Sequence, residues 1–173
     1  MLLSNPFRAS VEPEFRVLIV CMGNICRSPM AEAVLRQKLE RAGLERRVAV
    51  ESAGTHGWRG SPVDERAAAS GERRGYDLSR IRSRRVLETD FERFDMLLAM
   101  DADNMEHLLE RCPQGLRDRI SLLLDLAPRP DHVREIPDPY YGAMNGFEVV
   151  LDLLEPACET LVKLVSKRLD APG

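Results

Sequence analysis

The apolar residues of this chain fall into short continuous runs that alternate with segments of helical spacing. The first run, RVLIVC at residues 16–21, is typical of a buried strand. The segment 29–41 that follows it has apolar positions at helical spacing, and Gly43 is its predicted stop. The same alternation returns further along the chain, so the pattern predicts successive strand–helix units.

Three more strands and three more helices follow from the same pattern. The predicted strands cover 48–54, 94–100 and 119–126. The predicted helices cover 61–75, 101–112 and an apolar stripe from Phe147 to Val165. Ser61 is the predicted N-cap of the second helix, with Pro62 in its first turn.

Alternating strands and helices predict an α/β fold, a mostly parallel sheet with helices on both faces. No repeat and no Gly- or Ser-rich linker divides the 173 residues, so we expect a single domain. Ligands of such sheets bind beyond the carboxyl ends of the strands. Cys21 lies at such an end.

Composition narrows the class of protein. Hydrophobic residues make up 44% of the chain, which is enough for a core, and no apolar run approaches the ~20 residues of a membrane span. The start of the chain does not read as a signal peptide. We therefore expect a cytoplasmic protein without a membrane partner, with residues 1–14 as a loose, flexible extension and 15–170 as the folded domain.

The net charge of −3 excludes a protein whose whole surface binds polyanions. Basic residues nevertheless concentrate at 73–85. This stretch is either a solvated surface or a wall that attracts an acidic ligand. Few aromatic residues interleave with the charges, so a nucleic-acid partner is not expected.

The four cysteines do not form the pattern of a disulfide framework or of a zinc site, so no metal and no cofactor are expected. Cys112 and Cys158 are most simply structural. Cys21 and Cys26 differ, because both fall in the turn CMGNICRSP between the first strand and the first helix.

That turn has the composition of a phosphate nest. Gly23 and Asn24 tolerate left-handed backbone conformations, which lets successive N–H groups point inward. The helix N-terminus adds unpaired N–H groups and partial positive charge. Arg27 can fork two hydrogen bonds onto a bound oxyanion, and Pro29 fits the first helical turn.

Cys21 begins this loop, and the field that binds phosphate also favours a thiolate. Ser28 could donate a hydrogen bond to the thiolate and later help it leave. One loop then supplies a nucleophile and the cradle for the group it attacks. The alternative is a buried cysteine that merely ends a strand, beside a surface arginine.

Cys26 has two interpretations. It is either a small buried residue beneath the loop or a redox safeguard, which traps an oxidised Cys21 as a disulfide.

The turn, in the context VCMGNICRSPMAEAV, resembles the signature loop of the low-molecular-weight protein tyrosine phosphatases. ESAGTHGW, FDMLLAMD and DPYYG continue the resemblance in the family's order, so that it covers roughly residues 16–169. It implies a four-stranded parallel sheet of order 2-1-3-4 and a phosphocysteine intermediate. The substrate would be a phosphotyrosine-containing protein or peptide, and inorganic phosphate would be the product.

Hydrolysis of a phosphomonoester by a thiolate needs a proton donor for the leaving oxygen. Asp138, bracketed by Pro137 and Pro139, is the candidate; on its own, Asp-Pro is also typical of a plain turn. The resemblance makes Asp138 the general acid and then the base for the attacking water, beside the nucleophile Cys21 and the phosphate clamp Arg27.

The resemblance also implies a slot for an aromatic ring, with Trp58 and Tyr140 as walls and Tyr141 at or near the rim. Phosphoarginine phosphatases of similar sequence carry Thr at the position of Ile25, so Ile25 favours phosphotyrosine. The predicted substrate-binding residues are Met22, Gly23, Asn24, Ile25, Cys26, Ser28, Trp58, Tyr140 and Tyr141.

Two other functions share parts of this pattern. Arsenate reductases use the same loop, but they need a relay of further cysteines, and residues 76–100 contain none. A non-catalytic phosphate-binding module would tolerate loss of Asp138, so the presence of Cys21, Arg27 and Asp138 together argues against it. One position departs from the family: Ile81 stands where many relatives carry a histidine, which puts a supporting hydrogen bond to the Gly-Asn turn in doubt.

Overall fold

A computed structural model describes residues 11–143 and 145–172. Four parallel strands form one sheet of order β2-β1-β3-β4, which confirms the predicted fold class and strand order. The strands are β1 (Phe15–Cys21), β2 (Val48–Gly54), β3 (Met96–Ala99) and β4 (Ile120–Leu122).

Helices cover both faces of the sheet. They are α1 (Arg27–Arg41), α2 (Glu65–Arg73), α3 (Asp90–Arg93), α4 (Ala102–Arg111), α5 (Leu123–Leu126) and α6 (Asn145–Asp170). A 3-10 helix covers Gln114–Arg119, between α4 and β4. No helix of the described ranges combines the length and the apolar character that crossing a membrane requires.

β1 lies at the centre of the sheet and is buried on both faces, which explains its continuous apolar run. Val17 and Ile19 point into one core, which they share with residues of α1 and α6. Leu18 and Val20 point into a second core on the other face. The period of two along a strand thus divides one short sequence between two cores.

Two predicted boundaries were wrong. The second helix begins at Glu65, with the Asp64 carboxylate accepting from the backbone N–H of Arg66 as the cap. Pro62 instead forms an isolated antiparallel bridge with Arg82. The fourth strand is also shorter than 119–126, since the chain turns into α5 after Leu122.

The predicted N-terminal extension lies outside the described residues except for its last four, 11–14. The backbone N–H of Glu14 donates to the carbonyl of Arg47 at 2.8 Å, just before β1 begins. Cys112 and Cys158 are buried in the two cores, and all four cysteines are free thiols.

Gly54, the last residue of β2, lies against the backbone of the loop that follows β1, at the carboxyl ends of the strands. A Cβ at this position would stand 2.6 Å from the carbonyl oxygen of Met22 and 3.1 Å from the backbone nitrogen of Asn24. Both partners are backbone atoms, so no side chain can rotate away to relieve the contact. A residue larger than glycine must therefore move the loop after β1.

We predict that Gly54→Ala destabilises the fold by about 1–3 kcal/mol, which lowers the Tm by roughly 2–12 °C in a chain of this size. Thermal unfolding followed by circular dichroism measures the shift. Gly115→Ala is the matched control, because a Cβ there meets nothing within 4 Å. A Gly54→Ala protein as stable as the control would contradict the prediction.

Candidate active site

The segment 21–27, called the Cys21 loop below, connects the central strand to the start of α1. Asn24 takes a left-handed conformation within it, with φ of 53°. Gly23 does not, and a Cβ there would make only an ordinary 3.6 Å contact with Ile25. Of the two residues that tolerate the left-handed region, only Asn24 therefore adopts it.

The Asn24 side chain is fully buried and hydrogen-bonded through both of its polar atoms. Its Nδ2 donates to the hydroxyls of Ser28 at 2.8 Å and Ser52 at 2.9 Å. Its Oδ1 accepts from the backbone N–H of Arg84 at 3.0 Å. Asn24 thus joins the loop to α1, to β2 and to the segment that precedes α3.

Ile81 is buried in the first core, so the position where relatives carry a histidine offers no hydrogen bond. Other groups support the loop. The Ser83 hydroxyl donates to the carbonyl of Gly23 at 3.0 Å, and the main chain of Arg84 serves Asn24. The loop therefore keeps its support from this segment without an imidazole.

The hydrogen-bond network extends away from the loop to Glu32 on α1. Ser52 donates its hydroxyl hydrogen to the Glu32 carboxylate, which also pairs with Arg36 at 2.6 Å. Burial raises the pKa of Glu32, although the hydrogen bond from Ser52 and the charge of Arg36 act to lower it. Because Ser52 gives its hydroxyl hydrogen to Glu32, it is an acceptor toward Asn24.

Cys21 is buried, and its sulfur faces two polar groups. The Sγ lies 3.0 Å from the Ser28 hydroxyl and accepts from the backbone N–H of Asn24 at 3.3 Å. Because Ser28 already accepts from Asn24 Nδ2, its own hydrogen can point at the sulfur, which is nearer than the carbonyl oxygen of Ala53 at 3.5 Å. The arrangement can stabilise negative charge on Sγ.

Arg27 is buried at the start of α1 and lies between two carboxylates. Its Nη1 donates to Asp101 at 2.5 Å and to the carbonyl of Ile136 at 3.0 Å, while Nη2 lies 3.6 Å from Asp138. Burial lowers the pKa of Arg27, but the charges of Cys21 and Asp101 outweigh it and raise the pKa overall. The guanidinium therefore stays a cation with a fixed orientation.

Asp101 was not among the sequence-predicted site residues. It lies two residues after the end of β3, and its other carboxylate oxygen caps α4 by accepting from the N–H of Asn104 at 2.8 Å. The available signal was its position at the end of a strand that neighbours β1. A charged residue there faces the same edge as Cys21.

Asp138 reaches the site on a segment fastened to the end of β3. Ile136 is buried, and its N–H donates to the carbonyl of Met100 at 2.8 Å. The Asp138 carboxylate accepts from the N–H of Tyr140 at 3.1 Å, which orients it toward Arg27. The structure thus brings Asp138 to the same site as Cys21 and Arg27, from which it is distant in the sequence.

These groups open onto a cleft of about 410 Å³. Trp58 and Tyr141 are 76% and 89% exposed and stand at its mouth, whereas Tyr140 is 40% exposed. The two tyrosine rings meet edge to face at 4.8 Å. The lining consists of Cys21, Met22, Gly23, Ile25, Cys26, Arg27, His56, Trp58, Arg85, Asp138, Tyr140 and Tyr141.

His56 and Arg85 belong to this lining, although the sequence did not single them out. The Nδ1 atom of His56 forms a hydrogen bond of 2.8 Å with the hydroxyl of Thr55. The ring centroids of His56 and His107 lie 5.0 Å apart. Burial and the neighbouring His56 lower the pKa of His107.

Cys26 lies in the same lining but in a different environment from Cys21. Burial, aided by the charges of Asp64 and Cys21, raises the pKa of the Cys26 thiol to about 12. Cys26 is therefore a protonated thiol at neutral pH. In the described ranges no group of three or more potential ligands could hold a metal ion.

Comparison with known proteins shows the family to which the chain belongs. The model of the family described as low molecular weight phosphotyrosine protein phosphatase matches residues 16–171. The chain belongs to this family. It is therefore a phosphatase, and the family implies phosphoprotein substrates.

Individual relatives cover nearly the same length. The low molecular weight protein-tyrosine-phosphatase YfkJ of Bacillus subtilis is 39% identical, over 87% of this chain and 96% of its own. The solved protein tyrosine phosphatase of Entamoeba histolytica has a TM-score of 0.84 and 41% identity, over 88% of this chain and 97% of that one. The YwlE arginine phosphatase has a TM-score of 0.80 at 27% identity, over 88% and 97%.

Proposed function

We propose that this phosphatase hydrolyses phosphotyrosine in proteins or peptides through a phosphocysteine formed on Cys21. The observation that carries the proposal is the convergence of a thiol, a guanidinium and a carboxylate at one cleft, with Arg27 Nη2 3.6 Å from Asp138. Each group has the chemistry that one part of the reaction needs.

In the first step the Cys21 thiolate attacks phosphorus and the bond to the tyrosine oxygen breaks. The N–H groups of the Cys21 loop and the fork of Arg27 bind the phosphoryl oxygens as their charge develops. Asp138 gives its proton to the leaving phenolate, so that tyrosine departs neutral. The ion pair with Asp101 keeps Arg27 oriented for this task.

In the second step a water molecule attacks the phosphocysteine. Asp138, now a carboxylate, takes a proton from this water, and the bond between sulfur and phosphorus breaks. The Ser28 hydroxyl, 3.0 Å from Sγ, stabilises the departing thiolate. Inorganic phosphate leaves, and the protonated acid is restored for the next cycle.

The lining of the cleft supports an aromatic leaving group. Trp58 and Tyr140 offer faces on which a phenyl ring can stack, and Ile25 adds an apolar contact inside the loop. The similarity to an arginine phosphatase makes phosphoarginine the alternative substrate. The resemblance of the sequence, in which phosphoarginine phosphatases carry threonine at the position of Ile25, favours phosphotyrosine. The cytoplasmic location, the domain limits and the lack of nucleic-acid and membrane partners stay predictions.

We predict that Cys21→Ser abolishes hydrolysis of a phosphotyrosine peptide while vanadate binding persists, since the loop and Arg27 remain. Phosphate release measures the first and isothermal calorimetry the second. Cys112→Ser, a change at a buried thiol of the second core, is the control and should stay active. Substantial turnover by Cys21→Ser would refute the nucleophile.

We predict that Asp138→Asn lowers kcat by about 10²–10⁴ for phenyl phosphates with poor leaving groups, because no proton reaches the leaving oxygen. The loss should shrink for p-nitrophenyl phosphate, whose leaving group needs less help. Asp131→Asn is the control, an exposed aspartate of the same segment that pairs with Arg129. An equal and small loss for every leaving group would count against Asp138 as the acid.

Cys26 supports a further proposal, a disulfide that protects the nucleophile. Peroxide oxidises the Cys21 thiolate to a sulfenic acid and is reduced to water. The Cys26 thiol then displaces water from that sulfenic acid and forms the Cys21–Cys26 bond. Because the pKa of Cys26 is raised to about 12, little of it is thiolate at neutral pH, and trapping should accelerate with rising pH.

We predict that wild-type enzyme inactivated by peroxide regains activity with a thiol reductant, whereas Cys26→Ser recovers poorly. Mass spectrometry of the oxidised wild type should show the linked peptides. Cys158→Ser, a change at a thiol buried far inside the first core, is the control and should recover as wild type does. Full recovery of Cys26→Ser, with no linkage in the wild type, would leave Cys26 as a packing residue.

A further inference from the structure

The cleft contains a cation that the proposed reaction does not use. Arg85 lines the cleft together with His56 and Trp58, and its side chain is exposed. Arg27, the other arginine of the lining, is buried, donates through Nη1 to Asp101 and is the group proposed to bind the phosphoryl oxygens. The two arginines are therefore available to different groups.

The backbone of Arg85 is held rigidly beside the sheet. Arg85 forms an isolated parallel bridge with Gly54, the residue that ends β2. The N–H of Gly54 donates to the carbonyl of Arg84 at 2.8 Å, and the N–H of Val86 donates to the carbonyl of Gly54 at 3.0 Å. Residues 84–86 thus pair with the end of β2, at the carboxyl ends of the strands, where the cleft lies.

The side chain of Arg85 is oriented as well. Its Nε donates to the carbonyl of Gly57 at 3.0 Å, next to Trp58 in the chain. Among the residues that the structure describes, neither Nη1 nor Nη2 of Arg85 has a hydrogen-bond acceptor, and no carboxylate pairs with it. Two donors of the guanidinium thus remain for a ligand.

Two other arginines near the cleft are paired with carboxylates. Arg84 pairs with Asp90 at 2.8 Å, and Arg66 pairs with Asp64 at 2.9 Å. Within residues 11–143 and 145–172, Asp138 is the only carboxylate of the cleft lining, and it faces Arg27. The charge of Arg85 is therefore uncompensated at a wall where a substrate must pass.

We infer that Arg85 forms a carboxylate subsite, which binds an aspartate or glutamate of the substrate one or two residues from the phosphotyrosine. The inference rests on the proposed function. A guanidinium with two free donors matches a carboxylate in geometry and charge. Because the subsite shares one cleft of about 410 Å³ with Cys21, and a residue spans at most ~3.6 Å, only near neighbours of the phosphotyrosine reach it.

The test uses phosphotyrosine peptides that carry Glu, Gln or Lys at each of the two positions before and after the phosphotyrosine. At one position or more, wild-type enzyme should cleave the Glu peptide with kcat/KM about 3- to 10-fold above the Gln peptide, mostly through KM. The ratio should fall toward one in 0.5 M salt, since screening weakens an exposed pair.

Variants separate a subsite from a structural role. Arg85→Gln should remove the preference for Glu over Gln, and Arg85→Glu should reverse it in favour of Lys. Both should cleave p-nitrophenyl phosphate, which has no flanking acid, within about twofold of wild type. Arg80→Gln, an exposed arginine outside the cleft lining with the same change of charge, should keep the preference.

The outcomes are distinct. Hydrolysis of all the phosphotyrosine peptides at one rate by the wild type would overturn the subsite and leave the proposed function standing. An equal loss on every substrate in Arg85→Gln would assign Arg85 to holding the loop of Gly57, and would also overturn the subsite. Cleavage of phosphoarginine but of no phosphotyrosine peptide would overturn the proposed function and the subsite with it.

Discussion

The site depends on one asparagine held in a left-handed backbone conformation. That conformation costs a residue with a Cβ about 1–2 kcal/mol. Three hydrogen bonds of the buried Asn24 side chain, to Ser28, Ser52 and Arg84, offset the cost. The same backbone turn aims the N–H of Asn24 at the Cys21 sulfur. One side chain therefore fixes the backbone shape of the loop and aims one N–H donor at the sulfur.

The parallel sheet determines which residues meet around that loop. The register places Cys21 beside Gly54 on β2 and Val20 beside Ala99 on β3, so the two flanking strands end at the same edge as β1. Asp101 follows β3 and holds Arg27, while the Ile136 segment is bonded to Met100 and delivers Asp138. A change of register at either strand would separate these groups.

Sequence alone predicted the features that depend on neighbouring residues. The apolar runs predicted the parallel sheet, and the residues from Cys21 to Ser28 predicted a turn between the first strand and the first helix. The pairing of Arg27 with Asp101 spans 74 positions, and no local pattern signals it. The predicted start of α2 was wrong for another reason, because Ser61 and Asp64 are both residue types that cap helices well. The bridge of Pro62 with Arg82, a tertiary contact, decided between them.

Ile81, buried in the first core, adds no titratable group to the support of the Cys21 loop. An imidazole in that role would titrate between about pH 5 and 8 and could lose or gain a hydrogen there. Here the hydrogen bonds come from a main-chain N–H of Arg84 and the hydroxyl of Ser83, which do not titrate in that range. Glu32 is the nearest acid of the network, and burial raises its pKa. Its carboxylate accepts from Ser52, so protonation of Glu32 is the event that can loosen the support of Asn24 from the β2 side.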